Sequence, residues 1–113
     1  MDYEKYVGVI NGFPKEGISF KDISPLLADP KAFQSCIDDF AKLAAPYHPT
    51  KIVGPESRGF IFGAALAYKM GVGFVMARKA GKLPGHNYAV SYALEYGNAT
   101  LEIREDALTA DDR

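Results

Sequence analysis

Between Lys51 and Lys79 the chain is apolar twice over, with a glycine-flanked arginine in between. KIVG reads as a buried strand, GFIFGAALAYKM as a helix apolar nearly all round and closed by Gly71, and GFVMAR as a second strand. Strand, helix and strand within roughly thirty residues predict a βαβ unit with parallel strands and a right-handed crossover. Upstream, Tyr3, Tyr6, Val7 and Ile10 recur at helical spacing, which predicts an amphipathic helix over residues 1–12 stopped by Gly12. FPKEG is then a turn-rich link and ISF a short strand. Ser24 before Pro25 and Asp29 before Pro30 read as successive helix starts. The second helix is predicted to run to Ala45 with Phe33, Cys36, Ile37, Phe40 and Ala44 on one face, before Pro46 and Pro49 bar its continuation.

Downstream the period changes to two. Tyr88, Val90, Tyr92 and Leu94 alternate with small or polar neighbours, and so do Leu101 and Ile103. The pattern predicts a β-hairpin over residues 86–105, with Gly97-Asn98 as a two-residue turn and Glu95 and Tyr96 at the tip. DALTADDR after it is polar and turn-like.

Composition narrows the function classes. At 113 residues and 48% hydrophobic, the chain has room for one core, hence a single domain over 1–113. Thirteen basic against fourteen acidic residues leave a net charge of -1, so neither nucleic acid nor an anionic membrane is an expected partner. Cys36 is the one cysteine, which excludes an intrachain disulfide and favours a reducing, cytoplasmic setting. No apolar run is long enough to span a bilayer, and MDYEKYVGVING has no leader-like stretch.

Two loops carry candidate chemistry. GPESRG, residues 54–59, ends a strand and opens a helix, where unpaired N–H groups and the helix dipole favour an anion and Arg58 adds a fixed charge. ARKAGKLPG brings Arg78, Lys79 and Lys82 to the end of the second strand, the edge of a parallel sheet where ligands bind. Phosphate or pyrophosphate suits both loops, although an ordinary strand-to-helix turn and a solvated basic loop fit the same spacing. Phe60 and Ile61 stand where a Walker loop needs Lys and Ser or Thr, which excludes a nucleotide-triphosphate P-loop. His48, His86 and Cys36 make no zinc pattern, and no GxSxG, HExxH, CxxC or GxGxxG occurs.

FPKEGISFKDISPLL, VGPESRGFIFGAALA, ARKAGKLPG and SYALEYGNATLEIREDAL, in this order and at these intervals, resemble the adenine phosphoribosyltransferase family from Phe13 onward. The resemblance implies an α/β fold of the type I phosphoribosyltransferase class, a parallel sheet flanked by helices with a flexible catalytic hairpin, and a hood element over residues 1–12. It implies a purine salvage reaction in which adenine and phosphoribosyl pyrophosphate give AMP and pyrophosphate, with Mg²⁺ accompanying the substrate and a homodimer as the assembly. Phe20 and Lys21 would flank the adenine, Lys21 standing where the family commonly carries arginine. Glu56, Ser57 and Arg58 would meet the pyrophosphate, with a cis peptide between Glu56 and Ser57, and Arg78, Lys79 and Lys82 would add charge, in part across the subunit interface. Glu95 would be the acid/base group beside the purine and Tyr96 the lid. The family's phosphoribosyl signature, an apolar strand ending in two acids and running into a Thr/Gly-rich loop, is expected directly after Asp111-Asp112-Arg113 and is not in the chain. These 113 residues are therefore expected to lack the 5′-phosphate loop, with the C-terminal part of the fold absent, and to be inactive alone. Xanthine or hypoxanthine as the base, and an effector-binding regulator on the same fold, are the competing expectations.

Overall fold

The computed structural model describes residues 1–94 and 97–113, which form two compact units, Met1–Asp39 and Phe40–Arg113.

The first unit opens on a 3-10 turn, Tyr3–Tyr6, followed by strand β1 (Gly8–Asn11). The expected helix over 1–12 is thus corrected to a single turn and a strand. Gly8 is a poor helix former, and Val7, Val9 and Ile10 are β-branched and prefer the extended backbone. β1 pairs antiparallel with β2 (Ser19–Asp22), Gly8 facing Asp22 and Asn11 facing Ser19. Helix α1 (Ser24–Ala28) begins where the Asp22 carboxylate accepts from both the N–H and the hydroxyl of Ser24, so Asp22 supplies the capping oxygen expected of Ser24. Asp29 does cap the next helix, α2 (Pro30–Ala44), through Ala32 N–H at 2.9 Å. Leu26, Ala32 and Ile37 are the buried apolar residues of this unit. The Tyr3 hydroxyl donates to Asp39 Oδ2 at 2.5 Å and lies 2.9 Å from Ser35 Oγ, which ties the N-terminal turn to α2.

The second unit holds the βαβ element. Strand β3 (Lys51–Pro55) lies parallel to β4 (Gly73–Lys79) with Lys51 facing Gly73 and Pro55 facing Ala77, and α3 (Arg58–Met70) crosses between them. Gly71 ends α3 in the left-handed region at φ 72°, as a C-cap glycine does. Strand β5 (Asn87–Leu94) and strand β6 (Gly97–Arg104) form the antiparallel hairpin, giving the sheet order β3-β4-β6-β5. Gly97 and Asn98 stand inside β6 opposite Leu94 and Ala93, so they are paired strand residues and not the expected turn. β6 joins β4 at the two pairs Arg78–Glu102 and Lys79–Leu101. The polar segment after β6 folds back to the start of β3, where Asp112 accepts from Thr109 N–H, Thr50 Oγ1 and Lys51 Nζ, and the Arg113 carbonyl accepts from Thr50 N–H.

The helix and strands of this unit approach closely because their glycines leave room. A Cβ on Gly54 would stand 2.5 Å from the Gly59 carbonyl oxygen, one on Gly59 would stand 2.5 Å from Pro55 Cδ, and one on Gly63 would run into the Phe74 ring. Among the described residues Ala67, Val75 and Ala77 are the buried apolar side chains here. Among the described residues no helix is long and apolar enough to cross a membrane.

Candidate functional site

The carboxyl ends of β3 and β4 carry both candidate loops of the second unit. β3 ends at Pro55, and the chain turns through Glu56 and Ser57, joined by a cis peptide, into α3. Glu56 N–H donates to the Ala77 carbonyl at 2.9 Å, which fixes the turn against β4. Ser57 occupies the N-cap position without a side-chain capping bond, and Arg58 is the first, exposed residue of α3.

The Glu56 side chain does not extend toward solvent. Its Oε1 accepts from Lys79 N–H at 2.8 Å and from Arg78 Nε at 3.3 Å, and its Oε2 accepts from Lys82 Nζ at 3.0 Å. Only 8% of that side chain is exposed, against 32% for Arg78 and 48% for Lys82. The Arg78 guanidinium also lies 5.9 Å from the Phe60 ring centre, within range of the ring's negative face. The charged groups of Arg78 and Lys82 are therefore gathered at the turn that leads into Arg58, as the spacing of ARKAGK suggested, while Lys79 meets it through its backbone N–H. The spacing did not show that the turn's own acid gathers them.

Hydrogen bonding to Lys79 N–H, then to the Lys82 amine, with the charges of Lys82 and Arg78 in support, lowers the Glu56 carboxyl to about 2 from 4.5. The folded state favours the ionised form, so this stabilisation is complete above the unfolded value and disappears as pH falls through about 2. The urea midpoints of the parent and of Glu56→Gln should thus differ by a constant amount from about pH 8 to about pH 5 and converge toward about pH 2. A gap that widens on acidification would contradict the pairing.

The loop that carries Lys82 is braced from β6. Arg104 donates to the Pro84 carbonyl and pairs with Asp106 at 3.1 Å, while Gly81 N–H donates to Glu102 Oε1 at 2.9 Å. Gly81 and Gly85 take positive φ values of 85° and 86°, which the tight path of this loop requires. These braces went unread in the sequence, because nothing in the spacing pairs β6 with residues 80–85.

Phe20 and Lys21, the expected base contacts, lie in the first unit on β2. Phe20 faces Ile10 and packs edge-on against Phe13 at 5.1 Å, whereas Lys21 faces Val9 and lines a cleft with Tyr3, Glu4, Val7 and Val9. Neighbouring strand residues point to opposite faces, so ring and ammonium are not brought together and share only the backbone between them. Glu95 and Tyr96 lie outside the described residues.

Known proteins match the whole chain. It is 53% identical over 113 residues to the adenine phosphoribosyltransferase of Carboxydothermus hydrogenoformans and 56% identical to that of Solidesulfovibrio magneticus, covering all of this chain and 66% of either relative. The crystal structure of adenine phosphoribosyltransferase from Thermoanaerobacter pseudethanolicus superimposes with a TM-score of 0.94 at 47% identity, over 99% of this chain and 65% of that one. The Saccharomyces cerevisiae structure, complexed with D-2,5-dideoxy-2,5-imino-altritol 1,6-bisphosphate and adenine, gives 0.92 at 41% identity, over 98% of this chain and 65% of that one. No family model matches. The chain spans just under two thirds of the length of the curated relatives it matches. Sequence and backbone agree along essentially the full chain, and it belongs to the adenine phosphoribosyltransferase family, with the type I phosphoribosyltransferase fold.

Proposed function

We propose that this chain binds adenine and the pyrophosphate group of phosphoribosyl pyrophosphate for the reaction that yields AMP and pyrophosphate. The observation that carries the proposal is the gathering of the Arg78 and Lys82 cations, with the backbone N–H of Lys79, at the Glu56-Ser57-Arg58 turn. A leaving pyrophosphate develops negative charge as its bond to the anomeric carbon breaks, and cations fixed beside it stabilise that charge without reorganising. Arg58 opens α3, where the helix dipole also favours an anion, and would add its charge to the same leaving group. The yeast relative is complexed with adenine, which supports adenine as the base, and here it would meet the backbone of Phe20 and Lys21. Glu95 would manage the purine proton with Tyr96 covering the site. A homodimer in the cytoplasm is the setting we propose.

The resemblance also implies Mg²⁺. Among the described residues no group of three or more His, Cys, Asp or Glu side chains converges, and the Glu56 carboxylate is engaged by Lys79, Lys82 and Arg78. The described residues thus offer no cage of their own. Mg²⁺ fits as an ion carried on the substrate's phosphate oxygens, the usual manner of its binding to polyphosphates.

Equilibrium dialysis of the 113-residue protein with labelled adenine, and calorimetry with inorganic pyrophosphate, test the proposal. Adenine should bind and resist competition by hypoxanthine and xanthine, pyrophosphate should bind separately, and the chain alone should form no AMP. A preference for xanthine, or the binding of neither ligand, would refute it.

A further inference from the structure

Resting on the pyrophosphate reading above, we infer that Glu56 is a positioning residue: its carboxylate touches no ligand and sets where the Arg78 and Lys82 cations stand. Two carboxylate oxygens collect donors from separate pieces of chain. Arg78 Nε and Lys79 N–H come from the end of β4, while Lys82 Nζ comes from the loop beyond it. Glu56 itself belongs to the turn that opens α3 and is anchored there by its N–H on the Ala77 carbonyl. A side chain only 8% exposed, with its oxygens spent on cations, is badly placed to meet a polyanion that it would also repel.

What it does instead follows from donor arithmetic. Each of these bonds takes one donor from each cation. An ammonium has three and a guanidinium five, so both cations keep donors for an incoming oxyanion. The carboxylate removes rotamer freedom from two long side chains before the ligand arrives, a cost otherwise met at binding. Lys82 gains most, because half of its side chain is exposed and its loop follows a glycine of positive φ. The groups facing the carboxylate are the Arg78 guanidinium, the Lys82 ammonium and the backbone N–H of Lys79.

Glu56→Gln keeps the shape and an acceptor for Lys79 N–H but loses the charge and turns an amide N–H₂ or a weaker oxygen toward Lys82. Glu56→Asp keeps the charge on a shorter arm. Two readouts are needed. In the ligand-free protein, the rate of Lys82 acetylation by acetic anhydride, referenced to exposed Lys31, should rise about five-fold in Glu56→Gln and much less in Glu56→Asp. By calorimetry, inorganic pyrophosphate should bind Glu56→Gln about tenfold more weakly than the parent, as when outer-shell partners of other ligand groups are lost, and Glu56→Asp should recover part of that. A variant with the parent's thermal midpoint and either an unchanged Lys82 rate or an equal or tighter pyrophosphate affinity overturns the inference. A parent protein that binds no pyrophosphate refutes the reading of the site instead, and the acetylation rate then decides by itself whether Glu56 holds Lys82.

Discussion

Gly54→Ala should destabilise the second unit by about 3 kcal/mol or more, the upper range for overpacking a closed site. The added Cβ would stand 2.5 Å from the Gly59 carbonyl oxygen, 3.0 Å from the carbonyl carbon behind it and 2.9 Å from Phe74 Cε1. A ring can tilt, but a backbone carbonyl at the first turn of α3 moves only with the helix. Moving the helix also moves Gly59 against Pro55, where the reverse clash waits. Gly73→Ala supplies the contrast. Its Cβ would meet Lys51 Cδ at 2.9 Å and Cε at 3.1 Å, atoms of a flexible chain that can step aside. That substitution should therefore stay within about 1 kcal/mol, helped by the smaller entropy of the unfolded alanine chain. Urea unfolding of both variants makes the comparison. An equal loss in the two would mean that distance to the nearest atom, and not the stiffness of what owns it, governs these sites.

Arg58→Ala should weaken inorganic pyrophosphate binding by about thirtyfold at fixed ionic strength, and Arg58→Lys should restore only a small part. A guanidinium places two parallel donors on neighbouring phosphate oxygens, whereas an ammonium offers a point charge that must be oriented anew. Arg58 is exposed at the opening of α3, so its loss should be read mainly in binding and less in the stability of the fold. Calorimetry against pyrophosphate, paired with a thermal melt, separates the two effects. Full recovery by lysine would show that Arg58 contributes charge without geometry, and parent-like binding by alanine would remove it from the site.

These expectations show which parts of the molecule are legible in the sequence. The βαβ element is written locally: KIVG and GFVMAR are short apolar runs, the helix between them has its own period, and Gly71 supplies a left-handed cap that other residues adopt at a cost. Asp29 likewise caps α2 from an adjacent position. The N-terminal dozen misled because Tyr3, Tyr6, Val7 and Ile10 satisfy a helical spacing, while the partner that makes Gly8–Asn11 a strand, Ser19–Asp22, lies beyond a turn that the period does not see. Gly97-Asn98 misled in a different way. The pair has the residue types of a tight turn, but its register against Ala93 and Leu94 places it one step along the strand. At the site, the cations were visible as letters in ARKAGK and their meeting place as the end of a parallel strand. Their attachment to Glu56 was not visible, since it spans 22 to 26 positions and depends on the β3–β4 register.

The ladder between β6 and β4 has a mechanical consequence. The two hairpin strands pair with each other along their whole length, yet the hairpin is fastened to β4 and the loop after it by the pairs Arg78–Glu102 and Lys79–Leu101, by Ala80 N–H on the Thr100 carbonyl at 3.2 Å, and by the braces at Gly81 and Pro84. It is a cantilever, and Gly97 lies three residues, about 10 Å, beyond the last bond of its root at Thr100. A force applied at the far end is multiplied by that arm and delivered as torque to the backbone of Arg78 and Lys79. Any bending of the hairpin is therefore felt at the run 78–80, which includes the peptide units of Arg78 and Lys79, and whatever stiffens that root stiffens the whole arm.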